Sequence, residues 1–253
     1  MSELQAILES IPGFARAAAV EQLADGPTNL SVRLEQGGRH FVLRVDKPEA
    51  ASLGLNRAAE REVIETVALA GLGHKPVYFD AAAGIYLRPW IPGVTWTQTD
   101  LLNEDNLLRL AVLLRELHAV PPAGIKFKPL LAAGRYAKQL GTAEAGNLFG
   151  QIAGLYALIE PGPPAMCHND LVCHNILEGE ALTLIDWEYA GIGDPYFDLA
   201  IVVQHHGLSR NLAIHFLAAY LQREPESRDM DRLEKQCRFY AALLRLWTLR
   251  IAM

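Results

Sequence analysis

The chain is short of the features that mark several functional classes. It has three cysteines, at 167, 173 and 237, an odd number that does not make a disulfide framework. Cations are in the minority: 23 Lys and Arg against 29 Asp and Glu give a net charge of −6. That speaks against nucleic acid as a partner, because phosphate binding draws on clustered Lys and Arg. No apolar run approaches the roughly 20 residues of a membrane span. The opening stretch MSELQAILESIPGFARAAAV mixes acids into its apolar positions and lacks the basic region and apolar core of a secretory signal. A cytoplasmic location without a membrane partner is therefore expected. Polar low-complexity tracts and internal repeats are also missing, so disorder is not expected. The composition that remains, 51% hydrophobic and 21% charged over 253 residues, is ample for a core in one or two lobes.

The pattern changes character part-way along. ELQAILE (3–9) reads as a short amphipathic helix ended by Pro12-Gly13. SVRLE and HFVLRV read as strands joined at Gly37-Gly38, a strong hairpin signal, with a turn at Asp25-Gly26-Pro27-Thr28-Asn29 before them. Ala59, Val63, Val67 and Ala70 mark an amphipathic helix over 56–70. VYFD and GIYLRPWI form a second strand pair. After Pro92-Gly93, LLNEDNLLRLAVLLRELHAV predicts a long helix with Asn103 as N-cap and Glu104 and Asp105 at its positive end. Two helices, weakly bounded by Gly141 and Gly146, are expected over 130–160. ALTLIDWEY is a β-type run, and helices are expected over 198–204, 211–222 and 231–249. The class is α+β: a small β-rich lobe over 1–92 with one helix on its sheet, and a larger, mainly helical lobe over 93–253.

CHNDLVCHNIL, residues 167–177, gathers two Cys, two His, an Asp and two Asn. Structural zinc sites favour close Cys/His pairs with a second pair elsewhere, and Cys237 and His205-His206 offer no matching pattern. A nucleophilic Cys167 or Cys173 is the weaker reading, since free cysteine usually packs as a small hydrophobe. The polar residues fit better with what lies downstream. His168-Asn169-Asp170 is followed by Asn175, then by an apolar run ending at Asp186. Phosphoryl transfer needs an acceptor hydroxyl held toward the phosphate and a cation to neutralise charge. An Asp on a rigid loop can orient that hydroxyl and take its proton. An Asn and a second Asp, brought together by a hairpin, provide the hard oxygens that Mg²⁺ prefers.

CHNDLVCHNIL followed by LIDWEYAGIGDPYFDLA resembles the signature of the aminoglycoside phosphotransferase and choline kinase superfamily. The likeness is closest to bacterial choline/ethanolamine kinases and thiamine kinases, through Ile-Asp-Trp-Glu-Tyr-Ala-Gly. The resemblance implies a two-lobed protein-kinase-like fold using ATP and Mg²⁺. It implies Asp170 as base or hydroxyl-orienting residue, His168 as a brace of the loop, and Asp198 as a hydrogen-bond anchor for it. Asn175 and Asp186 would bind Mg²⁺. DGPTNLSVRL is similar to the family's nucleotide loop, which sets Gly26, Thr28 and Asn29 over the phosphates; an ordinary turn is the alternative. FVLRV stands where protein kinases carry V-A-I-K, so Arg44 takes the place of Lys, with Glu62 as its helical partner and Glu60 as the alternative in register. Lys47, beyond the strand, is read as solvated. The backbone at Pro89, Trp90 and Ile91 would meet adenine.

Asp186 and Asp198 are only twelve positions apart, too close for the activation segment and A-P-E motif of protein kinases. The acceptor is therefore expected to be a small molecule. Asp194, Glu188, Tyr196 and Trp247 are the candidate acceptor contacts, since aromatic faces with carboxylates suit a cation. Choline or ethanolamine leads, with thiamine, a sugar or an aminoglycoside open. A nucleotide-binding pseudokinase is opposed by the presence of Asp170, Asn175 and Asp186. A metal-dependent hydrolase using His168, Asp170 and His174 is a further rival and predicts a tightly bound transition metal. Oligomeric state is not legible.

Overall fold

The structure, a computed structural model, describes residues 3–26 and 28–252; Pro27 of the expected turn lies outside them. The chain divides into two compact units, Met1–Pro92 and Gly93–Met253.

The first unit runs α1 (Glu3–Ser10), β1 (Ala18–Asp25), β2 (Asn29–Gln36), β3 (Arg39–Asp46), α2 (Glu49–Leu53), α3 (Arg57–Leu69), β4 (Tyr78–Asp80) and β5 (Ile85–Pro89). The strands form an antiparallel sheet in the order β1-β2-β3-β5-β4. Gln36 pairs with Arg39 across Gly37 and Gly38, which sit at φ 59° and 72°. Two successive left-handed residues make the tight turn whose twist matches the strands, and glycine adopts it without a Cβ penalty. Strand alternation then sorts the side chains. Val32, Leu34, Phe41, Leu43 and Leu87 join Leu8 and Ile11 in one buried cluster, with Phe14 edge-on to Phe41 at 5.0 Å. Val42 and Arg44 alternate to the other face, where Arg44 meets α3. Asn56 caps α3 by accepting from the Ala59 N–H at 3.0 Å.

The second unit comprises β6 (Val94–Thr95), α4 (Gln98–Leu101), α5 (Glu104–Ala119), α6 (Pro129–Leu140), α7 (Ala143–Ala157), β7 (Ala165–Cys167), β8 (Ile176–Glu178), β9 (Leu182–Leu184), β10 (Gly191–Gly193), α8 (Pro195–His205), α9 (Arg210–Leu221) and α10 (Ser227–Ile251). Asn103 caps α5 as expected, accepting from Asn106 N–H at 3.2 Å. Leu107, Leu110, Ala111, Leu114 and Leu117 then form its buried stripe at helical spacing. Gly141, at φ 65°, ends α6, and Thr142 starts α7. Gly146 lies inside α7 instead of bounding it, because Thr142 already supplies the cap. The β-type run 181–189 yields only the three residues of β9. Beyond Leu184 the chain leaves the ladder to place Asp186. No helix among the described residues is long and apolar enough to cross a membrane.

Candidate active site

In the second unit, β7 delivers His168, Asn169 and Asp170, and a 3-10 turn at Cys173–Asn175 leads into the β8–β9 hairpin. The hairpin pairs Ile176 with Leu184, and the Ile185 N–H donates to the Asn175 carbonyl at 2.9 Å. Asn175 and Asp186, eleven positions apart in sequence, are thereby brought onto adjacent backbone. Asn169 and Asp186 sit at φ 63° and 64°. Such left-handed residues cost about 1–3 kcal/mol and persist only where the surroundings over-determine them.

Those surroundings are visible. Asp198, fully buried on α8, accepts the His168 N–H at 2.8 Å and the Asn169 N–H at 2.7 Å. The Asn169 amide donates to the Tyr189 carbonyl at 2.9 Å. His168 is fully buried, and its Nε2 lies 3.0 Å from the Ile185 carbonyl, which only accepts, so this nitrogen carries the proton. Burial, outweighing the charge of Asp198, holds the imidazole below its ordinary pKa, so it serves as a neutral strut. Its ring stacks obliquely on the buried Trp187, with centroids 4.7 Å apart. The transition-metal reading is not supported by this placement: His168 is engaged with Ile185, and His174 is exposed.

Asp170 is the chemically distinctive group. Its pKa is raised to about 7, first by burial and next by the Asp186 charge, while the Asn175 hydrogen bond pulls the other way. The Asn175 amide nitrogen donates to the Asp170 carbonyl at 2.9 Å and to its Oδ2 at 3.0 Å. With the nitrogen so engaged, the atom of Asn175 suited to a cation is Oδ1. The donor set of Asn175 oxygen and Asp186 carboxylate is hard, and negative charge is crowded enough to raise a neighbouring acid. Both facts fit Mg²⁺.

Tyr189 and Tyr240 lie close enough to feel the charge of this carboxylate, and Glu188 and Trp247 lie beside Tyr189. The Tyr189 hydroxyl is pushed far up by burial and then by the charges of Glu188 and Asp170, with the Trp247 side chain beside it. Tyr240 is also raised by burial and by Asp170, and its hydroxyl lies 2.7 Å from His205 Nδ1. Glu188 and Trp247 thus stand beside Tyr189, which with Tyr240 is close to Asp170. Asp194 and Tyr196 are engaged elsewhere. Asp194 caps α8 by accepting from Tyr196 N–H, and also accepts from Arg232 at 2.7 Å and Gln236 at 2.9 Å. Tyr196 is buried under the Arg232 guanidinium, and its hydroxyl donates to Asp229 at 3.3 Å. Both residues fasten α8 to α10, a task set by partners more than thirty positions away.

In the first unit, Arg44 is buried and forms a two-pronged pair with Glu60, both contacts 2.7 Å. Glu62 is exposed, so the expected Arg44–Glu62 pair is corrected to Glu60. The reason is helical register: Glu60 shares the inward stripe with Val63, Ile64 and Val67, whereas Glu62 is turned about 200° away from it. Arg57 adds a second guanidinium, donating to Glu60 at 2.8 Å and to both oxygens of Asp46 at 2.8 and 2.7 Å. Burial alone would raise the Glu60 carboxyl, but Arg44 and then Arg57 hold it below its ordinary value. At the β1–β2 connection Thr28 and Asn29 are buried. The Asn29 amide donates to Thr28 Oγ1 at 2.9 Å, the Gly26 N–H to the Asn29 carbonyl at 3.0 Å, and the Lys47 N–H to the Thr28 carbonyl at 2.8 Å. Lys47 is not simply solvated; its ammonium pairs with Asp25. Of the three residues expected to meet adenine, Trp90 has its N–H on the His40 carbonyl at 3.0 Å and its indole under Arg33. Pro89 has no N–H to donate.

The two architectures and the His-x-Asp loop followed by its Asn and Asp define a protein-kinase-like fold. Residues 19–235 match the phosphotransferase enzyme family, and the chain belongs to it. The chain is 31% identical over 210 residues to Protein LicA of Haemophilus influenzae, covering 77% of this chain and 60% of that protein. It is 29% identical over 202 residues to a thiamine kinase of Escherichia coli, covering 75% of this chain and 67% of that one. A choline/ethanolamine kinase family protein from Mesorhizobium loti superposes with a TM-score of 0.80 at 26% identity, over 98% of this chain and 84% of that chain. The chain therefore spans about three fifths of the length of the first of these relatives.

Proposed function

We propose that the chain transfers a phosphoryl group from ATP to the hydroxyl of a small, cationic metabolite such as choline or ethanolamine. The observation that carries this reading is Asp170: a carboxyl raised to about 7 beside Asp186, steadied by Asn175, with Tyr189 near it and Glu188 and Trp247 beside that tyrosine. A carboxylate with its pKa near working pH is suited to take the proton of an acceptor hydroxyl. Asn175 and Asp186 would hold Mg²⁺, which neutralises phosphate charge when bound. Glu188 and the rings of Tyr189 and Trp247 would attract an ammonium or thiazolium. Residues 1–92 would bind the nucleotide through Arg44, the 26–29 turn and Ile91, and residues 93–253 would hold the acceptor. A thiamine kinase among the relatives makes thiamine the second reading, and it uses the same cation chemistry. The three free cysteines and the use of ATP support work in a reducing cytoplasm.

The test is a panel of choline, ethanolamine, thiamine, sugars and aminoglycosides with ATP and Mg²⁺, read as ADP release. Turnover confined to choline, ethanolamine or thiamine is expected. Silence across the panel would refute the transferase, and turnover of sugars alone would refute the cationic acceptor. With the active acceptor in hand, Trp247→Ala should raise its KM between about 3- and 30-fold, the equivalent of the ~0.5–2 kcal/mol of a cation–π contact. The KM for ATP should hardly move; equal changes in both would make Trp247 a packing residue.

A further inference from the structure

We infer that His118 is a positioning residue for the Asp170 loop, acting through Asp198 and itself held by Tyr220. The inference rests on the phosphotransferase reading for its kinetic consequence, while the structural link stands on geometry alone. Asp198 orders the two peptide groups before Asp170, including the left-handed Asn169. Its carboxylate has a third polar neighbour: His118 Nε2, from the last turn of α5, lies 3.1 Å from Oδ2. His118 Nδ1 lies 2.8 Å from the Tyr220 hydroxyl of α9, and the two rings meet nearly edge-on at 5.5 Å.

The chemistry of the end groups sets the direction of this chain. A carboxylate only accepts, so Nε2 carries the imidazole proton. When the ring is neutral, Nδ1 is the acceptor and Tyr220 donates its O–H to it. Burial pushes the Tyr220 phenol up, so that proton stays in place. The order is Tyr220 to His118 to Asp198, and Asp198 in turn receives the N–H groups of His168 and Asn169. Three helices, α5, α8 and α9, thus converge on one carboxylate behind the loop. Without His118, Asp198 would keep its two backbone donors, one on each carboxylate oxygen, but lose the side chain that braces Oδ2 from behind.

This chain is not needed to hold the helices together. α5 and α9 already bury Leu110, Leu114 and Leu117 on one side and Ala213, Phe216 and Leu217 on the other. The polar string crosses that apolar packing to reach a carboxylate that holds the loop. Buried polar groups of this kind are costly unless fully paired, and when fully paired they fix a single geometry. Cys167 comes within 4.8 Å of His118 and Asp198; its thiol is raised by burial and after it by the Asp198 charge, and the His118 and Asp198 atoms beside it are joined to each other.

The experiment compares wild type, Tyr220→Phe, His118→Gln and His118→Ala, the last with and without added imidazole. It reads steady-state kinetics on the acceptor that the panel identifies, and amide hydrogen exchange of residues 165–175. His118→Ala should lower kcat by about 10–100-fold with the KM for ATP within about twofold, since a small displacement of reacting groups is enough for a loss of that size. Imidazole should recover part of it, and Tyr220→Phe should give a smaller loss of the same kind. Exchange at His168 and Asn169 should quicken in step, while α10 stays protected. An unchanged kcat with unchanged loop exchange would overturn the inference. So would faster exchange throughout α5, α8 and α10, which would make His118 a packing residue. A wild type that phosphorylates no acceptor refutes the proposed activity, and the exchange data then decide the His118 link independently.

Discussion

Replacing Asp170 by Asn should lower kcat by about 10²–10⁴-fold, the usual range for a positioned general base, with ATP affinity nearly unchanged. The side chain keeps its shape and can still accept from the Asn175 amide, which donates to Asp170 Oδ2 at 3.0 Å, so the loop has no reason to collapse. What is lost is a group that can take a proton. The same substitution should stabilise the fold, in a pH-dependent way. The folded pKa of Asp170 is about 7 against an ordinary value of 3.8, so the folded state holds this proton more tightly than the unfolded chain does. Its contribution is intact below the ordinary carboxylate pKa and is lost as pH rises through about 7. In metal-free buffer the Tm advantage of Asp170→Asn over wild type should therefore be small below the ordinary value of 3.8, grow from there to about 7, and level off above it. A kcat within threefold of wild type would remove Asp170 from the role of base. A Tm difference that is flat with pH would show that the carboxyl is not held in its acid form by Asp186 and burial.

The parts of the molecule legible in sequence are those whose signal lies within a few residues. Asn103 and the α5 stripe fall in one twenty-residue window, and Gly37-Gly38 sets the β2–β3 turn unaided. The loop 168–175 and Asp186 are joined by a short hairpin, so their order alone carries the chemistry. β1 was not legible because it lies at the sheet edge with all eight residues exposed and its register to β2 interrupted twice. An edge strand with no buried face has no alternation to read. Asp194 and Tyr196 are offered as acceptor contacts by an acid and an aromatic ring close behind Asp186 in the sequence. Their partners Arg232, Gln236 and Asp229 are on α10, beyond the reach of local pattern. His118 reads as an ordinary cation at a helix C-terminus, and its partner is eighty positions downstream. Glu60 is different, since the stripe that contains Val63 and Val67 also contains it, and counting by helical turns would have chosen it over Glu62.

That register carries the second large effect. Glu60→Ala should destabilise the chain by about 3–5 kcal/mol, the usual consequence of removing one member of a buried ion pair, and lower kcat/KM for ATP by about 10²-fold. Glu60 is 2% exposed and is shared by two guanidiniums, Arg44 from β3 and Arg57 from α3. Arg57 is itself gripped by Asp46. Asp46 is seated against the β4–β5 turn, where its N–H donates to the Gly84 carbonyl at 2.9 Å and its side chain occupies the place a Cβ on Gly84 would take. Two cations and two carboxylates therefore neutralise one another, and the geometry of Arg44 is set by the whole quartet. Removing Glu60 releases the group proposed to meet phosphate and leaves the two guanidiniums without the carboxylate they share. Glu60→Gln keeps the volume and one acceptor and should fall between wild type and Glu60→Ala in both measurements. Glu62→Ala, on the exposed face, should stay within about 0.5 kcal/mol of wild type in urea unfolding and leave kcat/KM for ATP unchanged. Equal losses at 60 and 62 would contradict the pairing. A Glu60→Ala protein with normal stability and normal use of ATP would show that Arg44 needs no carboxylate to hold it.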